Sequence, residues 1–257
     1  MTPFVAVLLF GAGILAGIVN AVAGGATLFT FPTMMTAGLA PIVANASNSL
    51  AVMPGNLMAV LADRAHLPRC GHRLVWFVVV AIVGGFLGAI LLLATSERLF
   101  TRLVPLLIGG ATLVFAFARQ LQLAIATRIG EVRAGNRPDR RLILVLLIPA
   151  SIYGGYFGAG LGIVLMSIFA LGGLSDLRRA NALKNLLSAM CALASVATFI
   201  VQDVISWPET TAMFAGAVLG GVVGGRLIRK LPAGVLRAII IGVGALLSAV
   251  YAGRYWF

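Results

Sequence analysis

Residues 23 to 46 recur at 159 to 182. A single shift of 136 positions carries Ala23-Gly24 onto Ala159-Gly160, Ala44-Asn45-Ala46 onto Ala180-Asn181-Ala182 and, further on, Gly84-Gly85 onto Gly220-Gly221. A duplicated chain has to fold the same unit twice and bury one copy against the other, which removes most architectures from consideration. The solvent narrows the choice again. Hydrophobic residues make up 61% of the chain and charged residues 10%, with a mean hydropathy of +1.07, whereas soluble domains are roughly 25% charged. Apolar runs at about 75–95, 103–118, 183–201, 210–225 and 233–252 approach or reach the ~20 helical residues that cross a ~30 Å hydrocarbon layer. The expectation is an all-α, polytopic integral membrane protein. A repeat inside such a chain is the pattern of secondary transporters, whose substrate site lies where the two copies meet.

A formal net charge of +12 suggests nucleic acid only until the charges are placed. They form short loop clusters and no single patch: Arg64, Arg69 and Arg73; Arg119, Arg128, Arg133, Arg137, Arg140 and Arg141; Arg178 and Arg179; Arg226, Arg229 and Lys230. The positive-inside rule assigns all four to the cytoplasm. The loop from Gln202 to Pro208, with Asp203, and the uncharged Gly38 to Ile42 then belong outside; Arg98 and Arg102, beside Glu97, are the chief exceptions.

This assignment constrains the glycine-rich segments. Residues 142 to 174 leave the cytoplasm and return to it, and about 33 residues are short for two crossings of roughly 20 each. A re-entrant pair of half-helices, broken at Gly158-Ala159-Gly160, fits better, and residues 4 to 37, with a break near Ala23-Gly24-Gly25, should behave alike. Each copy is then one hairpin plus three crossings, so the copies are inverted and both termini lie outside. A plain eight-crossing arrangement ranks second because it puts Arg178, Arg179, Arg226, Arg229 and Lys230 outside. Residues 1–122 and 142–257 form the two repeats. The basic linker 123–141, with Gly130, Gly135 and Pro138, joins them in the cytoplasm, where its arginines reach anionic lipid headgroups at most as a secondary role. The N-terminus lacks the basic region and cleavage site of a removed signal.

Enzyme chemistry has little footing. Cys70 and Cys191 are too few and too differently placed for a disulfide framework or metal cluster. His66 and His72 lie in a basic loop without a zinc or nucleophile arrangement. No Walker-type glycine loop occurs, so neither ATP-driven pumping nor any cofactor is expected. A membrane-embedded transferase is the alternative from a different class.

The stretch Gly17-Ile18-Val19-Asn20-Ala21-Val22-Ala23-Gly24-Gly25-Ala26-Thr27-Leu28, continuing through Phe31-Pro32, Gly38-Leu39-Ala40-Pro41, Ala44-Asn45-Ala46-Ser47-Asn48 and Pro54-Gly55, resembles the first signature of the sulfite exporter TauE/SafE family, also called the 4-toluene sulfonate uptake permease family. Gly154-Gly155-Tyr156-Phe157-Gly158-Ala159-Gly160-Leu161-Gly162 and Asn181-Ala182-Leu183-Lys184-Asn185 resemble its second. Ala26 stands where a third glycine is common, and Ser47 and Ser49 where threonines are common. The resemblance spans essentially the whole chain. It implies transport of sulfite, sulfonates or related small organic anions across a bacterial-type cytoplasmic membrane, and leaves export or uptake open.

The residues make an anion site plausible by themselves. Gly24, Gly25, Gly158 and Gly160 let the backbone break, and a broken helix at membrane depth exposes N–H groups and a dipole that favour negative charge. The competing reading is that small residues only let helices pack closely. Asn45, Asn48, Asn181 and Asn185 lie near the starts of the helices after each hairpin; they either glue helices together or donate to an oxyanion. Asn20 and Tyr156, equivalent in the two copies, lie one turn before the breaks. Lys184 is the only basic residue outside the loops and their flanks, with no acidic residue in any apolar segment to neutralise it. Burying it costs at least ~2.5 kcal/mol, which points to a substrate anion as partner; snorkelling toward Arg179 is the competing reading. Expected partners are a small anion and membrane lipid, with no nucleic acid, and self-association is left open.

Overall fold

The computed structural model describes residues 1–22, 25–68, 71–132, 139–174, 176–227 and 233–256, and every regular element among them is helical. The first copy holds α1 (Pro3–Val22), α2 (Thr27–Thr36), α3 (Pro41–Asp63), α4 (His72–Ala94) and α5 (Glu97–Val132). The second holds α6 (Arg140–Tyr156), α7 (Leu161–Leu171), α8 (Leu177–Val201), α9 (Trp207–Leu227) and α10 (Ala233–Tyr255). Among the described residues four helices, α1, α4, α5 and α8, contain spans long and apolar enough to cross a membrane. The outward face of α4 shows what surrounds them: Val75, Val79, Ile82, Phe86 and Ile90 are all exposed along one helical stripe, an apolar surface that only lipid or another apolar body covers at low cost.

Local sequence sets the helix ends. Pro41 opens α3 at a first-turn position where its missing N–H is not needed. The carboxylates of Asp139 and Asp176 cap α6 and α8, each accepting the N–H groups of the second and third residues beyond it. The break between α6 and α7 falls at the expected glycines. Gly158 and Gly160 take φ of +73° and +75°, a left-handed backbone that glycine adopts without the strain a side chain imposes. The corresponding break between α1 and α2 includes Gly24, which lies outside the described residues, as do Cys70 and the 133–138 part of the linker. Two details differ from the sequence reading. The hairpin arms are unequal: α1 has 20 residues and α2 only 10, about 30 and 15 Å. The linker is not a loop throughout, because α5 continues as far as Val132.

Packing between the copies is close and symmetric in pattern. Helix α1 packs on α9 as α6 packs on α4, α3 packs on α9 as α8 packs on α4, α2 meets α10 as α7 meets α5, and the like pairs α3–α8 and α5–α10 meet each other. Glycines make the tightest of these contacts possible. A methyl group on Gly13 or Gly17 would strike the backbone of α9, and one on Gly84 or Gly88 would strike α6, so small-residue seams join the helices at glycines other than those of the breaks. The same contacts fix direction. Phe10 faces Gly216 and Ile14 faces Gly220, so α1 and α9 run parallel; Ser151 faces Gly84 and Ile152 faces Gly88, so α6 and α4 do too.

Chain ends and loops thereby sort into two groups. At one end Asp63 meets the first turns of α8, the Asp139 N–H donates to the Gly172 carbonyl, and the exposed Arg64, Arg178 and Arg179 cluster nearby. At the other the Ser206 N–H donates to Ser47 Oγ, the Glu97 carboxylate lies beside the Ile42 backbone, and the Trp256 indole donates to the Arg102 carbonyl.

Candidate functional site

A cavity of about 100 Å³, room for several waters or one small oxyanion, lies where the two copies meet. Helix α3 contributes Ser49, Val52, Gly55, Asn56 and Ala59, and α8 contributes Lys184, Asn185, Ser188, Ala192 and Ser195. Both rows follow helical three- and four-residue spacing, so one face of each helix forms a wall. Asn20 and Thr27 close it from the first hairpin, and Phe157, Gly158, Leu161 and Gly162 from the second. Both short helices, α2 and α7, therefore begin at the cavity.

Among the described residues Lys184 is the only charged one in that lining. Its stem lies over the start of α7, where a Cβ on Gly162 would stand 3.3 Å from the Lys184 Cδ. The sequence expectation that no acid accompanies it is corrected by α3. That helix runs through to Asp63, which acts electrostatically on Lys184. No carboxylate among the described residues comes within 4 Å of the ammonium, so this is a neighbour and not a contact ion pair. Asp63 Oδ2 instead accepts hydrogen bonds from both Asn181 Nδ2 and Asn185 Nδ2, each at 2.6 Å. Its place at the edge of an apolar segment hid it; its signal is the 22-residue reach from the helix-opening Pro41, just over six turns.

The other expected residues divide. Asn20, Gly158, Lys184 and Asn185 line the cavity together. Asn20 also donates to Asn56 Oδ1 across a long 3.4 Å, and Gly55 lets it approach, since a Cβ there would lie 2.5 Å from its Nδ2. Asn181 stands behind the wall, on Asp63. Asn45 is buried and gives its Nδ2 to the Tyr156 carbonyl at 2.9 Å, satisfying one of the free carbonyls at the end of α6. Asn48 is buried with neither amide atom bonded to protein and is not in the lining. The Tyr156 ring packs on Phe100 and its hydroxyl reaches toward Thr95 at 3.5 Å, away from the cavity. Gly25 faces the Phe115 ring, and Gly160 faces Ala111; both shape the breaks without lining the space. Asn56, Thr27, Ser49, Ser188 and Ser195 were not foreseen, because single hydroxyls and amides in apolar helices carry no signal until the facing helix is known.

Comparison with known sequences agrees over nearly the full length. A "Probable membrane transporter protein" of Haemophilus influenzae is 29% identical over 97% of this chain and 96% of its own. The "Probable membrane transporter protein YfcA" of Escherichia coli K12 is 27% identical over 97% of this chain and 90% of its own, and the "Probable membrane transporter protein ORF9" of a Sinorhizobium species is 25% identical over 93% and 89%. No solved structure shows a significant match. The family model described as sulfite exporter TauE/SafE matches residues 9–251, and with both helix breaks and the inter-copy cavity inside that span, the chain belongs to the sulfite exporter TauE/SafE family.

Proposed function

We propose that this protein is a secondary transporter that exports sulfite or a small organosulfonate across the cytoplasmic membrane through the cavity between its two repeats. The observation that carries the reading is the position of Lys184: the one cationic lining residue among those described, set among amides and hydroxyls where two broken helices begin. An ammonium, amide N–H groups and helix N-termini are the donors an oxyanion needs. The family description supports a sulfur oxyanion, and the relatives' names support transport. Repeat units 1–122 and 142–257, joined through 123–141, are proposed to lie inverted. Each hairpin begins and ends at the same end of the molecule, so it adds no net crossing to its copy, which supports both termini outside.

Energy coupling follows from where the acids are. Asp63, Glu97, Asp139, Asp176 and Glu209 lie at helix ends or in first turns and Asp203 in a turn, so among the described residues no carboxylate relay threads the helices. An inside-negative potential already expels an anion, by about 2.3 kcal/mol per charge per 100 mV. Purified protein in vesicles loaded with sulfite, under a potassium-clamped potential and no pH gradient, should release unmodified anion at a rate that follows the potential. Flux that needs a pH gradient would refute the coupling, and chemical change of the sulfite would refute transport in favour of a transferase.

A further inference from the structure

Asp63 and the proposed substrate need the same partners. The carboxylate lies at the C-terminal end of α3, in the first copy, and its two amide donors lie one turn apart on α8, in the second. One of them, Asn185, also lines the cavity, and its neighbour Lys184 feels the Asp63 charge. An incoming oxyanion that engages Lys184 and the Asn185 amide therefore approaches the donors that a carboxylate already occupies, against that carboxylate's own charge.

The arrangement is particular to one end of the molecule. The shift of 136 that relates the copies puts Phe199, fully buried in the core, in the place of Asp63, and Asn45, the counterpart of Asn181, bonds a backbone carbonyl instead. The other carboxylates near this end, Asp139 and Asp176, cap their own helices. Asp63 joins the two copies through side chains, from α3 to α8.

We propose that Asp63 is a tethered competing anion: it holds the α3–α8 junction closed at the arginine-bearing end while the cavity is empty, and substrate binds by drawing Asn185 and Lys184 away from it. This rests on the anion-transport reading above and adds a gate and a charge filter to it. A fixed negative charge beside the cavity opposes a dianion about twice as strongly as a monoanion, so Asp63 sets valence selectivity as well as closure.

The test is the binding of methanesulfonate, a monoanion, and sulfoacetate, a dianion, to purified wild type, Asp63→Asn, Asp63→Ser and Asp63→Glu. Asparagine keeps an acceptor for both amides and removes only the charge. It should bind methanesulfonate about tenfold more tightly than wild type, a ~1.4 kcal/mol change, and sulfoacetate about a hundredfold more tightly; glutamate should show no gain. In vesicles the Asn variant should leak anion from the arginine-bearing end. Equal or weaker binding by a folded Asn or Ser variant overturns the proposal, as does an equal gain for both anions. Loss of fold in both variants assigns Asp63 to structure and overturns it too. Failure of all four proteins to bind either anion defeats the functional reading itself, a separable result.

Discussion

Replacing Lys184 by methionine isolates the charge on which the functional reading depends. Methionine reproduces most of the apolar stem that lies over Gly162, and Asp63 keeps both of its amide donors at 2.6 Å. The fold should therefore survive, and the melting temperature should equal or exceed that of wild type, because a partly buried ammonium in an apolar helix is removed. Binding should fall for two additive reasons. A charge-assisted hydrogen bond to the anion is lost, about 1.5–3 kcal/mol. The Asp63 charge is no longer offset and opposes the anion directly; at an effective dielectric near 20 and a separation of several ångströms, one such pair is worth on the order of 2 kcal/mol. Together these predict binding weaker by at least roughly a hundredfold. Ligand-induced thermal shift over a sulfite titration, with Lys184→Arg as the charge-retaining control, measures it. A methionine variant that folds and binds within about threefold of wild type would refute the reasoning and leave Lys184 as a packing residue.

Asn45→Ala and Asn181→Ala, equivalent in sequence, should both weaken transport but for different reasons: the first should lower the melting temperature by freeing the Tyr156 carbonyl, about 1–3 kcal/mol, and the second should act mainly on anion affinity through Asp63. Equal thermal destabilisation by both, with normal flux in the folded fraction, would make them simple helix glue. Gly88→Val should abolish stable insertion, since its added atoms collide with the backbone of α6 near Ile152 and Tyr156; a well-folded variant would refute the seam. Single cysteines at Thr2 and Phe257 should react with an impermeant thiol reagent on intact cells, and protection of either would overturn the inverted arrangement.

Much of the fold was present in the sequence because its determinants are local or repetitive. Mean hydropathy selects lipid as solvent, the 136-residue shift reveals the duplication, and Gly158 and Gly160 mark a break that only glycine adopts without strain. The family signatures are contiguous strings, so they too were legible. The chemistry of the site was not, because it depends on which side chains face each other across helix crossings. Asn45 and Asn181 look alike in sequence, yet one meets a carbonyl 111 positions away and the other a carboxylate 118 positions away. The acid near Lys184 stayed hidden for the same reason. Asp63 reads as a loop acid until α3 is seen to reach it, and it becomes part of the site only because α3 lies against α8. An amide or a carboxylate acts through the partners it finds within about 3 Å, and the tertiary packing of the two copies alone sets that distance.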